Sequence, residues 1–352
     1  MTTIYPLSQL GWNAFFQQQL TLDEYTAATP ARIIAKHRSQ LEIYTEQGRQ
    51  KLIVTPHTAE INDLMVGDWV LLQPDGTFHR MLERRSRFTR KAAGKNTSIQ
   101  NIAANVDTAF ITTALNQDFS LNRIERYLAL VSEAGADAVV VLTKADLCDN
   151  PDHYLHQVRA IDPMLMVEVV NALDPESTSV LDPWCSPGST VALLGSSGVG
   201  KSTLVNTLSG KQDQLTGSAR SADDKGRHTT TARSLHFIPD GGALLDTPGM
   251  RELQLVGCEA GIDQVFSDIS ALATQCRYSD CQHQTEPGCA VQKAVNASEL
   301  DPRRVENYFK LQREHAFNAA SLAEKRAKDR SLGRFYRSVK NEVFQRKKGD
   351  HY

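Results

Sequence analysis

No apolar run in this 352-residue chain approaches the roughly 20 residues that span a bilayer, so the sequence offers no membrane helix. A dominant charge sign is missing as well. With 39 Lys and Arg against 41 Asp and Glu, the formal net charge is −2, which excludes a uniformly basic coat and confines any nucleic-acid contact to local patches. Met1 to Leu20 contains no charged start followed by a signal-peptide core, and a soluble, cytoplasmic, monomeric protein is expected. Cysteine is scarce: six residues in a reducing compartment exclude a disulfide framework. Cys148, Cys185 and Cys258 stand alone and read as small buried or partly buried residues. Internal repeats are absent, and the length exceeds a single core, so two or three domains are expected.

Along the chain, an aromatic stretch (Trp12, Phe15, Phe16) precedes short strand-like segments at Ala31 to Ile34, Leu41 to Tyr44, Lys51 to Val54 and Asp68 to Leu72. Strands at this spacing predict a small β-barrel, for which an oligonucleotide-binding barrel is one candidate. From Asn105 the texture changes. Apolar strands at Thr108 to Thr113, Ala138 to Leu142, Leu165 to Val170, Thr190 to Leu194 and Ala243 to Leu245 alternate with helical stretches such as Ile124 to Ala134, which predicts a parallel sheet covered by helices. Beyond Glu259 the pattern is helical, and the end is dense in Lys and Arg.

Gly195-Ser196-Ser197-Gly198-Val199-Gly200-Lys201-Ser202 fits the phosphate-loop pattern G-x-x-x-x-G-K-[ST], after an apolar strand and before a helix-like segment opening at Thr203. Its glycines admit backbone N–H groups to phosphate oxygens, Lys201 neutralises β- and γ-phosphate charge, and the Ser202 hydroxyl is a Mg²⁺ ligand. Asp246-Thr-Pro-Gly249 closes a second apolar strand, supplying a carboxylate for Mg²⁺ through water and the Gly249 N–H for the γ-phosphate. Between them lies Gly226-Arg-His-Thr-Thr-Thr231, where Thr230 or Thr229 completes the metal shell. The base is named by Thr143-Lys144-Ala145-Asp146 at the end of a strand. There a buried Asp146 takes two hydrogen bonds from guanine, the Lys144 stem packs on the ring, and Asn171-Ala172 adds a backbone contact. Adenine lacks that donor pair, so GTP and its product GDP are the expected ligands. The order is inverted: base recognition precedes the phosphate loop, as in a circularly permuted domain.

Cys276, Cys281, His283 and Cys289 offer three thiolates and an imidazole within a short stretch, a closed tetrahedral set expected to hold one structural Zn²⁺. Two basic clusters are candidate RNA contacts. Arg80, Arg84, Arg85, Arg87, Arg90, Lys91 and Lys95 form one; the other runs from Lys325 to Lys348 with Phe335 and Tyr336 interspersed.

These motifs, with Val66-Gly-Asp-Trp-Val70, Gln100 to Asp107 and Asp246 to Arg251, resemble the circularly permuted, ribosome-small-subunit-dependent GTPase A family of RsgA or YjeQ type over about Ala31 to Phe317. The resemblance implies a multidomain α/β chain: an extension over 1–30, an oligonucleotide-binding barrel over 31–98, a permuted phosphate-loop GTPase domain over 99–257, and a helical zinc-binding domain with a basic tail over 258–352. It further implies late maturation of the small ribosomal subunit as the role, with that subunit and its rRNA as partners and GTP hydrolysis stimulated by them. The chain departs from the family pattern in its aromatic amino-terminal stretch and in Asn171, where serine is commoner. Met250 stands where many GTPases place a water-orienting glutamine and cannot polarise water. By resemblance, and by its place beside the metal-binding threonines, His228 is the candidate that positions the attacking water, acting with Lys201 and Thr230. Two other classes remain open here: an RNA-binding module for which the nucleotide is a stabilising ligand, and a phosphate-loop ATPase or kinase.

Overall fold

The computed structural model describes residues 4–37, 40–53, 63–91, 99–210, 233–239, 241–246, 257–284 and 286–319. Five amino-terminal strands, β1 (Thr29–Lys36), β2 (Gln40–Thr45), β3 (Gly48–Ile53), β4 (Trp69–Leu72) and β5 (Phe78–Met81), form an antiparallel set in which β1 pairs with both β2 and β4. Because side chains alternate across a strand, Ala31 and Ile33 point into a core with Leu41, Ile43 and Val70, while Ile34 joins the larger core on the other face. A hairpin of β6 (Arg87–Lys91) and β7 (Ile99–Ala104) follows, its two strands lying on either side of the expected boundary at 98.

The second unit carries β8 (Thr108–Ala114), β9 (Asp137–Thr143), β10 (Met166–Val169), β11 (Thr190–Leu194), β12 (Arg233–Phe237) and β13 (Ala243–Asp246) in the order β10-β9-β8-β11-β13-β12. Strands β10 through β13 in that order are parallel; β12 is antiparallel to β13. Val139 and Val141 enter one core and Val140 and Leu142 the other, as a sheet covered on both faces requires. Although β11 comes fourth among the strands of this unit, it lies in the middle of the unit's sheet, between β8 and β13, which is the permutation expressed in topology. One pairing goes beyond what the residue pattern predicts: β1 runs antiparallel to β12 (Ala35 opposite Ser234), joining the amino-terminal strands and the parallel sheet in one continuous strand path.

The amino-terminal aromatics close that junction. Short helices α1 (Ala14–Gln17) and α2 (Leu22–Ala27) bring Trp12 and Phe16 onto Trp69 of β4, at ring distances of 4.9 and 5.7 Å, and Tyr5 lies between Tyr44 and Phe237. Beneath them, buried Arg32 donates to Leu10 O, to Asn105 O (3.2 Å) and to the Thr190 hydroxyl (2.6 Å); burial pulls its guanidinium down to about 10 against the fields of Asp107 and Asp68.

Helix α3 (Leu121–Ala134), capped by Ser120 and ended by left-handed Gly135, joins β8 to β9. After α4 (Pro151–Arg159), α5 (Pro175–Thr178) and α6 (Lys201–Ser209), the carboxy-terminal helices are α7 (Glu259–Val265), α8 (Ser267–Ala273), α9 (Ala290–Asn296) and α10 (Pro302–Ala319). Helix α7 packs on α3 at Gly261, where a Cβ would lie 2.1 Å from Ala129 O, so any side chain there drives the helices apart. The fully buried Glu125 of α3 receives both arms of Arg303 (3.0 Å each), Arg304 (2.9 Å) and the Asn307 amide (2.6 Å) from α10. Removing one partner of such a buried cluster typically costs about 3–5 kcal/mol, because the opposite charge is left uncompensated. Among the described residues, no helix is long and apolar enough to cross a membrane.

Candidate functional site

Strand β11 delivers the chain into the phosphate loop at Gly195, whose φ is 140° and where a Cβ would lie 2.2 Å from Thr112 O, so that glycine alone fits. The loop ends at α6, whose N-cap, Gly200, carries no capping side-chain bond, so its first-turn N–H groups face the loop as an anion site. Lys201 folds back over the loop, donating to Gly195 O (2.7 Å) and to Ser196 O. Ser202 and Thr203 follow on the first turn, half-buried.

Next to this loop stands the segment Thr143 to Asp146, expected from the sequence to select the base. Thr143 is fully buried at the end of β9, and its hydroxyl donates to Val199 O (2.5 Å), with Thr113 O at 3.2 Å. Its place in the site is thus to tie that segment to the phosphate loop, a contact that a linear motif does not disclose. Lys144 takes a left-handed conformation (φ 60°) and turns the chain into a 3₁₀ turn, Ala145–Leu147. Asp146 in that turn is exposed, not buried as the sequence suggested: it sits at the open rim of the sheet and not beneath it. Opposite, Asn171 N donates to the Ser177 hydroxyl (2.8 Å) and Leu173 N to Asn171 Oδ1 (3.0 Å), a local turn. Ala172 O accepts the Thr207 hydroxyl of α6 (2.7 Å), so the loops after β9 and β10 are both pinned to the β11–α6 segment. Asp246 closes β13 beside β11, with its side chain outside the described residues; Gly226 to Thr231, including His228, Thr229 and Thr230, and Gly249 and Met250 also lie outside them.

Sequence reasoning missed two residues of α3. Arg123 donates to the Ser196 hydroxyl at 2.5 Å, and Tyr127, one turn on, falls on the same face of the helix, where burial pushes its phenol up. Their i, i+4 spacing marks a shared face, but nothing in the spacing says what that face meets.

Cys276, Cys281, His283 and Cys289 converge with their ligand atoms all within 4.8 Å of one another. Around a tetrahedral zinc ion, bond lengths of about 2.3 Å to sulfur and 2.0–2.1 Å to nitrogen imply sulfur–sulfur edges of about 3.8 Å and sulfur–nitrogen edges of about 3.5 Å. The Cys276–Cys289 separation is 3.9 Å, and His283 Nδ1 lies 3.4 Å from each of those sulfurs. Backbone N–H groups of Ala290 and Gln292 point at the Cys276 and Cys289 sulfurs (3.4 Å each), as outer partners that orient the two side chains.

Three arginines of the first basic cluster are paired within the fold. Arg80 is bonded to Glu24 (2.6 Å), whose carboxyl it holds well below the usual range, and Arg84 is bonded to buried Asp68 (2.7 Å). Arg85 faces Asp107 at 3.2 Å. Lys95 and the second cluster, from Lys325 to Lys348, lie outside the described residues.

A family model described as RsgA GTPase matches residues 81–256. The chain is 57% identical over 346 residues to the small ribosomal subunit biogenesis GTPase RsgA 2 of Vibrio parahaemolyticus, covering 98% of this chain and 96% of that one. It is 45% identical over 332 residues to the small ribosomal subunit biogenesis GTPase RsgA of Mesorhizobium japonicum, covering 93% and 95%. Among solved structures, YjeQ from Thermotoga maritima matches with a TM-score of 0.60 at 24% identity (81% of this chain, 97% of that one). YloQ, described as a circularly permuted GTPase, matches with 0.58 at 21% identity (86% and 100%). At those identities the structures speak for the fold, and the sequence matches speak for the lineage: the chain belongs to the RsgA GTPase family.

Proposed function

We propose that the protein hydrolyses GTP to GDP and phosphate in the maturation of the small ribosomal subunit, in the cytoplasm, and that contact with the subunit and its rRNA stimulates turnover. The observation that supports this reading is the Thr143–Val199 bond, which holds the segment Thr143 to Asp146 against the Gly195–Ser202 loop between β11 and α6. On this reading the N–H groups of Gly195 to Ser202 cradle the β- and γ-phosphates and Lys201 leaves its carbonyl partners to neutralise them. Asp146 accepts the two guanine donors and Lys144 packs on the ring. Because Asp146 is exposed, the base itself buries the carboxylate, and a base lacking the donors leaves it desolvated and unpaired.

Ser202, Thr230 and Asp246 would hold Mg²⁺, which supplies charge neutralisation across the β- and γ-phosphates. His228 orients the attacking water and Gly249 meets the γ-phosphate. Loss of that phosphate releases the threonine-bearing segment. Cys276, Cys281, His283 and Cys289 would hold one zinc ion, with a structural and not a catalytic role because four protein donors leave no open position. The oligonucleotide-binding character of the barrel and the RNA contact of the Lys325–Lys348 segment belong to the same proposal.

The test is a turnover assay with GTP and ATP, with and without purified small subunits. Hydrolysis confined to GTP and accelerated by subunits is the expected result; equal use of ATP, or indifference to subunits, would reject the proposal. In the same assay His228→Ala is expected to retain GTP binding while turnover falls about 100-fold or more, the range of general acid–base contributions. Loss of binding along with turnover would instead mark His228 as structural.

A further inference from the structure

Helix α3 touches the phosphate loop with one face and the carboxy-terminal helices with another. On the first face, Arg123 bonds the Ser196 side chain. The carbonyl of the same Ser196 accepts the Lys201 ammonium, so a displacement of Ser196 is felt by the lysine that meets the phosphates. On the second face, Glu125 is locked to Arg303, Arg304 and Asn307, and Arg126 pairs with Glu314. Further along, Glu133 accepts Gly261 N (2.9 Å) and Ser132 bonds Gln264 (2.5 Å), so α7 grips the far end of the same helix. Held at both ends by α7 and α10, α3 cannot rotate or slide unless they move with it, and packed helices of this kind shift as units.

We infer that Arg123 is a positioning residue of the nucleotide site, and that α3 transmits the placement of the carboxy-terminal helices to the phosphate loop through the Arg123–Ser196 bond. The guanidinium has five donors in a planar fork, of which one holds Ser196, and it brings a fixed positive charge to a loop built for phosphate. A force on α10, such as docking of the carboxy-terminal region on a large RNA–protein particle, is carried by the Glu125 cluster into α3 and arrives at the second residue of the loop. The coupling needs no change in the nucleotide motifs themselves. It rests on the GTP-hydrolase reading above and assigns to that site a route by which a bound particle regulates it.

The experiment measures steady-state GTP turnover of the full-length protein, with and without purified small subunits, for Arg123→Ala, Arg123→Lys, Ser196→Ala, the Arg123→Ala/Ser196→Ala double variant and Arg303→Ala. Zinc content and thermal melting are followed for each. Arg123→Ala is expected to lower kcat about tenfold while KM moves less than about threefold, since a positioning contact acts mainly in the transition state. Arg123→Lys, which keeps a donor within reach of Ser196, should recover part of the loss. The double variant should be no slower than Arg123→Ala alone, because both changes remove the same bond. Arg303→Ala should lower the factor by which subunits accelerate turnover. Arg123→Ala at the wild-type rate, additive losses in the double variant, or full acceleration of Arg303→Ala would each overturn the inference. Should Arg123→Ala melt early, the comparison of Arg123→Lys with Ser196→Ala decides instead. A wild-type protein that fails to hydrolyse GTP, or ignores subunits, removes the functional reading itself and not merely this route.

Discussion

Cys289→Ser is expected to abolish bound zinc and unfold the region between α8 and α10 while leaving the β-sheet intact. Cys289 is buried and serves as the N-cap of α9, a helix of seven residues that is too short to persist without tertiary support. Its sulfur accepts Gln292 N, and the ring of His283 stacks on Phe309 of α10 at 5.9 Å, so the site holds both following helices. In small zinc modules the ion contributes apparent binding energies of about 10–16 kcal/mol at neutral pH, far more than this short stretch can gather from apolar burial. Metal analysis should find one zinc per wild-type chain and essentially none in the variant, with hydrogen exchange rising across α9 and the first turns of α10. A chelator should reproduce the effect on the wild-type protein. Stoichiometric zinc in Cys289→Ser, with unchanged exchange, would end the assignment.

Asp146→Asn should reverse the base preference. The carboxylate accepts from guanine N1–H and the exocyclic amine; an amide in its place presents N–H to that amine and leaves two donors facing each other. Xanthine carries an oxygen at the same position and accepts the amide instead. GTP affinity is expected to fall by about 100-fold or more and xanthosine triphosphate to gain, since a site built around paired hydrogen bonds discriminates strongly against a mismatched partner. Lys144 and the 3₁₀ turn that aims Asp146 do not change in shape, so the melting temperature should stay near that of wild type. Parallel losses for both nucleotides in a binding titration would mean that Asp146 holds the turn and does not read the base.

Much of the fold was legible in the residue pattern because apolar alternation and glycine placement are local. The parallel strands β8, β9, β10, β11 and β13 each lie where an apolar run falls, and Thr190–Leu194 is bounded as expected. Strand β12 is not legible in this way. Its residues, Arg-Ser-Leu-His-Phe, alternate polar with apolar without a strong run, and they form a strand because β13 and β1 flank them, contacts separated by about 200 positions in the case of β1. The same blindness explains Glu125, Arg303 and Arg304: in sequence they are ordinary helix charges, and only the packing of α10 on α3 buries them together.

The basic cluster beginning at Arg80 shows the same dependence on contacts remote in the chain. A run of arginines predicts an electrostatic surface, yet Glu24, Asp68 and Asp107, all distant in sequence or on another element, take up three of its guanidinium groups. The phosphate-loop pattern, the permuted order and the convergence of Cys276, Cys281, His283 and Cys289 were all legible in short linear strings, because the chemistry of each needs a few residue types at fixed spacing. How the parts act on one another was not. The Thr143–Val199 tie, the β1–β12 seam and the placement of α3 between phosphate loop and carboxy-terminal helices arise from contacts between elements remote in the chain, and burial and charge pairing across such contacts exist only once the chain has folded.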